Sequence, residues 1–305
     1  MKVYTDLHSR TKMYNLPDWG FDKLKSIGID LVTEYNEDVK VYWGDLFTKK
    51  DVLNLPNLEW IHFPCVGVNR AMIPEVKYKG IRVTNSPNIF TESVSSMVLS
   101  YILYFSKGLN FVNKLRGEDN LTRESFDDYV NYVKQLNEIK CLVVGMGNIG
   151  NMLKVMLESL GITVIGISRN NSEDLMKFIG DSDFVINLLP LTAQTKSIFD
   201  KKVLGKMKNS SYFINVGRGQ TVVEEDLIEA LKSKTILGCA LDVFNVEPLS
   251  KESELWSMDN VLITPHIANV NKNYWKTQIE LFISNFSRFR TNNTLLNMVN
   301  LNREY

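Results

Sequence analysis

The chain has 305 residues, enough for two domains of ordinary size. Apolar residues make up 44% and charged residues 23%, values that exclude wholesale disorder. Lys and Arg together number 35 and so do Asp and Glu, so a formal charge of zero speaks against nucleic-acid or anionic-membrane binding by the whole protein.

The N-terminal MKVYTDLHSR has no apolar stretch ahead of its charges, so it does not read as a secretory signal and predicts a cytoplasmic protein. Short β-branched runs at Lys2–Tyr4, Ile29–Thr33, Val41–Trp43, Trp60–Phe63 and Ile81–Thr84 predict five strands. Glu92–Leu109 is apolar without a strand period and predicts one long, largely buried helix. Its apolar centre is about half of the ~20 residues that a membrane span needs. Arg116–Tyr129 is polar and reads as a loop or a partner-contacting arm. From Cys141 strands and helices alternate again, with strands at Cys141–Val144, Thr163–Ile167, Phe184–Leu189, Tyr212–Val216, Cys239–Val243 and Val261–Ile263. These strands are apolar on both faces, as in a parallel sheet covered by helices, and the alternation predicts a doubly wound α/β fold. Cys65, Cys141 and Cys239 form no CxxC, which argues against a disulfide framework; with only three histidines, no metal site is expected.

The most specific local signal is Cys-Leu-Val-Val-Gly-Met-Gly-Asn-Ile-Gly at residues 141–150. Gly145, Gly147 and Gly150 form GxGxxG, for a tight turn, close approach of backbone to a pyrophosphate, and packing of helix on strand. A strand precedes the motif. A helix follows with Leu153, Met156, Leu157 and Leu160 on one face, and Gly161 stands where a helix ends. Asn148 and Ile149 then open a helix whose N-terminus faces the phosphates. An NAD site expects Asp or Glu about 20 residues further on, against the ribose 2′-OH. Here the second strand ends in Ser168, Arg169 and Asn170. A guanidinium flanked by a hydroxyl and an amide suits a 2′-phosphate, so NADP(H) is expected in preference to NAD(H).

Three later segments each end a strand, where open α/β sheets bind ligands. They are Asn215-Val-Gly-Arg218-Gly, Leu241-Asp242-Val-Phe-Asn-Val-Glu247-Pro and Ile263-Thr-Pro-His266-Ile-Ala. Together they supply what reduction of a ketoacid needs. An arginine holds the carboxylate, a cationic histidine protonates the carbonyl oxygen, and a glutamate stabilises and orients that cation.

With these residues in this order, the sequence resembles the D-isomer-specific 2-hydroxyacid dehydrogenase family from about Trp60 to the C-terminus. The resemblance implies that Arg218 binds substrate, Glu247 is the partner carboxylate and His266 the acid/base. Asp242 would lie by the nicotinamide carboxamide, with Val216, Gly217, Arg218, His266 and Ala268 also against the cofactor. Leu189-Pro190-Leu191-Thr192 with Thr195 resembles the family's cofactor-flanking loop. Val66-Gly67-Val68 resembles its glycine loop, with Val66 and Gly67 amides toward the substrate carboxylate. Val83–Pro87 resembles the crossing between domains, and Leu296–Val299 the C-terminal return. The implied layout is a Rossmann-type dinucleotide-binding domain (91–269) inserted into a discontinuous, flavodoxin-like substrate domain (1–90 and 270–305). A homodimer built through the nucleotide domains is implied as well.

Asn69 stands where the family usually has Asp, Ser96 where Glu is common, and Asn269 where a small residue is common. The Trp-containing segment often found before the nucleotide domain is absent from Asn110–Tyr132. The cofactor signature is closest to NADPH-preferring glyoxylate/hydroxypyruvate reductases, so the expected activity is reduction of a small 2-ketoacid to the D-2-hydroxyacid. The alternatives are an oxidoreductase of the same fold for another small acid, such as phosphite, and a nucleotide-sensing binding protein like the corepressors of this fold. Trp43 reads equally as pocket wall or core, Trp275 as packing on the next helix in preference to a cap over the cleft, His8 and His62 as structural or solvated, and the cysteines as packing.

Overall fold

The structure is a computed structural model and describes residues 1–8, 14–118 and 120–301. The chain divides into two compact units, Met1–Ile89 with Asn271–Tyr305, and Phe90–Val270.

The first unit runs β1 (Lys2–Thr5), α1 (Asp18–Ser26), β2 (Asp30–Val32), β3 (Val41–Trp43), α2 (Lys49–Asn54), β4 (Trp60–His62), α3 (Pro74–Tyr78) and β5 (Arg82–Thr84). After the second unit, α10 (Tyr274–Arg290) returns to it. Its strands are all parallel in the order β2-β1-β3-β4-β5, the flavodoxin-like order. Alternation along each strand sends side chains to two cores. Val3, Val41, Trp43 and Trp60 meet Leu24 of α1 and Ile279, Phe282 and Phe286 of α10, while Tyr42, Ile61 and Val83 pack with Val52 and Val76 of α2 and α3. Trp43 is fully buried and stacks on Phe282 at 4.1 Å, so it belongs to the core and walls no pocket. Trp275 packs edge-on against Trp43 and Tyr274.

The second unit opens with α4 (Thr91–Ser106) and α5 (Leu109–Gly117). The single helix expected over Glu92–Leu109 is α4, which stops three residues earlier because Gly108 takes φ +69° and breaks the helical path before α5. Arg116–Tyr129, expected as a loop or arm, reaches into a 3₁₀ helix at Glu124–Tyr132 whose Tyr129 stacks on Phe111 at 4.3 Å. The unit continues with β6 (Lys140–Val144), α6 (Asn148–Ser159), β7 (Thr163–Ile167), α7 (Leu175–Phe178), β8 (Phe184–Asn187) and α8 (Lys201–Leu204). It closes with β9 (Tyr212–Asn215), α9 (Glu224–Lys232), β10 (Gly238–Leu241) and β11 (Val261–Ile263). On α6, Leu153 and Leu157 are buried as expected, but Leu160, past the helix end, is exposed.

The second sheet is also all parallel, in the order β11-β10-β9-β8-β6-β7. One face (Leu142, Val144, Val185, Phe213) packs on α7, α8 and α9; the other (Cys141, Val143, Ile186, Ile214) packs on α4 and α6. The doubly wound α/β class read from the sequence is the class found. Strand order reverses direction at β6, so a crevice opens beyond the carboxyl ends of β6 and β8, where ligands bind in such sheets. Among the described residues no helix is long and apolar enough to cross a membrane.

Candidate active site

The glycine turn lies at this switch point. Gly145 directly follows β6 with φ +115°, and a Cβ there would sit 2.9 Å from the Leu188 backbone. A Cβ on Gly150 would fall 2.3 Å from the Gly145 carbonyl oxygen, so α6 approaches the turn as closely as backbone allows. Above Gly147, which caps α6, there is open space instead. Crowding at Gly145 and Gly150, with room at Gly147, fits a dinucleotide whose pyrophosphate would lie over the N-terminus of α6, at Asn148 and Ile149.

At the tip of β7, Arg169 and Asn170 are exposed and no carboxylate ends the strand. The tip is shaped by Asn171. Its Oδ1 accepts from the Ser168 backbone N–H and hydroxyl, each at 2.7 Å, and its Nδ2 donates to the Gly166 carbonyl at 3.1 Å. The Ser168 hydroxyl in turn accepts from Asn170 N–H. Across the crevice, Thr195 fastens the 190–195 loop through bonds to the Pro190 carbonyl and Thr192, and Leu189 N–H donates to Asn187.

Strands β9, β10 and β11 are consecutive neighbours in register, so the segments after them meet at one sheet edge. Arg218 follows β9. Its carbonyl accepts from the Thr221 hydroxyl (2.6 Å), and the Asn187 amide donates to both Thr221 and Asn215, which lie below the turn. Val216 and Gly217 belong to this turn, and Gly217 N–H donates to Asn215 Oδ1. The part-buried guanidinium donates from Nη1 to the Gly217 carbonyl at 2.7 Å. A Cβ on Gly219 would overlap the Phe244 carbonyl at 2.0 Å, so the turns after β9 and β10 touch backbone to backbone.

Glu247 stands in the turn after β10. One carboxylate oxygen accepts from Phe244 N–H (3.1 Å) and the other lies 2.7 Å from His266 Nδ1. An ionised carboxylate only accepts, so Nδ1 carries the proton and Nε2 is the ring atom left for a substrate. His266, after β11, has φ +55°, which costs about 1–2 kcal/mol for a residue with a Cβ. Asp242 holds that backbone in place. It is 1% exposed, and its carboxylate accepts from the Thr264 hydroxyl and from the Ile267 and Ala268 N–H groups. In the structure, then, the Asp242 carboxylate faces the 264–268 loop that carries His266.

Val66 and Gly67 lie in the other unit, beyond β4. Three carbonyls of their loop are anchored: Pro64 accepts from Tyr274 and Gln278 of α10, Cys65 from Ser86 N–H, and Val66 from the Asn85 amide. Across trans peptides each N–H points opposite the preceding carbonyl, so the Val66 amide turns away from Ser86 and the Gly67 amide away from the Asn85 side chain. Cys65 Sγ lies near Asp45 and the Gly67 carbonyl, as a packing residue would. Burial pushes the Cys141 and Cys239 thiols up, so neither is a poised nucleophile. His62 is buried and its basicity falls to about 3 through loss of hydration, which makes it structural rather than solvated.

The sequence reading passed over the groups that brace these turns: Asn171, Asn187, Thr221, Tyr101, whose hydroxyl lies 2.6 Å from Thr264 Oγ1, and, in the first unit, Gln278. Asn187 had a signal, an amide closing an otherwise apolar strand. Gln278 and Tyr101 had none, because their partners lie far away in sequence.

A family model for the NAD binding domain of D-isomer specific 2-hydroxyacid dehydrogenases matches residues 100–268. Glyoxylate/hydroxypyruvate reductase A of Arabidopsis thaliana is 28% identical, over 94% of this chain and 93% of its own. A glyoxylate reductase of Thermofilum pendens is 33% identical over 70% of this chain and 66% of its own. A D-isomer specific 2-hydroxyacid dehydrogenase from Xanthobacter autotrophicus Py2, solved with NADPH and MES, superposes with a TM-score of 0.85 at 27% identity, over 100% of this chain and 99% of that one. The segment matched by the family model runs from within α4 to Ala268, more than half of the chain, and makes this protein a member of the D-isomer specific 2-hydroxyacid dehydrogenase family, an NAD(P)-dependent oxidoreductase.

Proposed function

We propose that the protein reduces a small 2-ketoacid of the glyoxylate/hydroxypyruvate type to the D-2-hydroxyacid, with NADPH preferred over NADH. The observation that carries this reading is the 2.7 Å His266–Glu247 pair in the turns beside the one that carries Arg218. Arg218 binds the substrate carboxylate and draws electron density from the carbonyl. His266 donates its Nε2 proton to the carbonyl oxygen, and Glu247 keeps the ring oriented and stabilises its cation. The nicotinamide cofactor, held by Gly145, Gly147 and Gly150, supplies the hydride.

The cofactor preference is supported by the exposed Arg169 at the tip of β7, where a carboxylate would repel a 2′-phosphate. Names of relatives support the substrate class, since two of those described above are reductases of glyoxylate. A homodimer through the nucleotide units belongs to the same reading, supported by the exposed apolar side chains of Leu121, Val130, Met152 and Val155. So does a cytoplasmic setting, which suits the buried thiols of Cys141 and Cys239.

The test is nucleotide oxidation with glyoxylate, hydroxypyruvate, pyruvate and bulkier 2-ketoacids, using NADPH and NADH in parallel. Turnover should be highest with the two-carbon and three-carbon acids. NADPH should bind more tightly by about 1–3 kcal/mol, and Arg169→Ala should remove most of that advantage. Equal affinity for both nucleotides in the unmutated protein contradicts the preference; no turnover with any acid contradicts the activity.

A further inference from the structure

Asp242 is not the end of the chain of bonds behind His266. Its carboxylate can only accept, so the Thr264 hydroxyl, 2.5 Å from Oδ1, spends its one proton there. The Tyr101 hydroxyl lies 2.6 Å from Thr264 Oγ1, and with that proton committed Tyr101 must be the donor. The direction is therefore fixed: Tyr101 to Thr264 to Asp242. Tyr101 and Asp242 are 3% and 1% exposed, so water does not compete for these bonds. Burial, with the Asp242 charge beyond, pushes the tyrosine up to about 12, which keeps it a donor at neutral pH.

The far end of this relay brackets the histidine. Thr264, Ile267 and Ala268 are all tied to one carboxylate, and between them Pro265 and His266 make the turn that takes φ +55°. A backbone in that conformation stays there only if its flanks are over-determined.

We propose that Tyr101, from the middle of α4, is a positioning residue for the reaction: through Thr264 and Asp242 it locks the turn that presents His266. It touches neither substrate nor cofactor in this proposal. Its consequence for turnover rests on the ketoacid-reductase reading, while its consequence for the backbone does not.

The experiment compares Tyr101→Phe, Thr264→Val, Thr264→Ser and the double variant Tyr101→Phe/Thr264→Val by two readouts. The first is amide hydrogen exchange at Ile267 and Ala268, which needs no activity. The second is steady-state kinetics with NADPH and glyoxylate, beside an NADPH fluorescence titration. Tyr101→Phe should speed exchange at both amides and lower kcat about five- to tenfold, within the range that sub-ångström misplacement of a catalytic group produces. The ketoacid KM and NADPH Kd should stay within about twofold, because Arg218 and the glycine turn are not tethered by the relay. Thr264→Ser should behave like the wild type, and the double variant should be no worse than Thr264→Val, since one break already interrupts the relay.

Unchanged exchange in Tyr101→Phe overturns the proposal. So does a kcat loss matched by an equal loss of NADPH affinity, or additive effects in the double variant; each marks Tyr101 as general packing. If Tyr101→Phe fails to fold, the Thr264→Val and Thr264→Ser pair decides by the same readouts. If the wild type reduces no ketoacid, the ketoacid reading fails, and exchange alone decides on the relay.

Discussion

Arg218 owes its position to backbone. Thr221 and Asn215 grip its turn, and the Gly217 carbonyl takes one guanidinium nitrogen, which leaves the rest of the fork for a ligand. A lysine there keeps the charge and loses the planar two-pronged geometry. Arg218→Lys should lower kcat/KM for the ketoacid by roughly ten- to hundredfold, with NADPH affinity little changed. Wild-type kinetics in that variant contradict substrate binding by Arg218. His62 makes a different kind of statement, about stability. Its folded basicity sits near 3 against an ordinary 6.5, because burial disfavours the cation. The unfolded chain therefore takes up a proton between those values and the folded one does not. Stability from His62 is complete above about pH 6.5 and is lost as the pH falls toward 3, at about 1.4 kcal/mol per unit. Urea unfolding should show His62→Gln losing about 2 kcal/mol less than the wild type between pH 7 and pH 5. Equal losses contradict a buried, neutral His62.

At the scale of elements, α6 separates folding from binding within a single turn. Gly147→Ala adds a methyl to open space, so it should leave thermal stability nearly unchanged while weakening NADPH binding markedly. Gly150→Ala drives a methyl into the Gly145 carbonyl and should destabilise the fold by about 1–3 kcal/mol. Calorimetry beside nucleotide titration checks both; equal effects of the two substitutions contradict a pyrophosphate at Gly147. This element was readable because its glycines, apolar stripe and flanking strands lie within thirty contiguous residues. The helix before β6 was less so. Nothing in the apolar run Glu92–Leu109 marks Gly108 as a break rather than a tolerated helical glycine until its φ of +69° is seen. Strand ends were read long at Phe184–Leu189 and Cys239–Val243, since apolar residues resume just beyond the polar Asn187 and Asp242 where the ladders stop.

For the whole molecule, the two parallel sheets were legible from strands that are apolar on both faces and spaced by helices. What was not legible is the support behind each functional group. Tyr101 reaches Thr264 across more than half of the chain, and Gln278 reaches Pro64 across most of it. Each is an ordinary polar residue in a helix until the fold supplies its partner. The central claim is that His266 gives the proton while the cofactor's phosphates are held elsewhere, at the glycine turn and the tip of β7. The most direct test is the rate of ketoacid-dependent NADPH oxidation by His266→Ala, measured beside its NADPH dissociation constant. The rate should fall by about 10²- to 10⁴-fold with the dissociation constant unchanged; a rate near that of the wild type, or a loss of NADPH binding in proportion to the loss of rate, contradicts the claim.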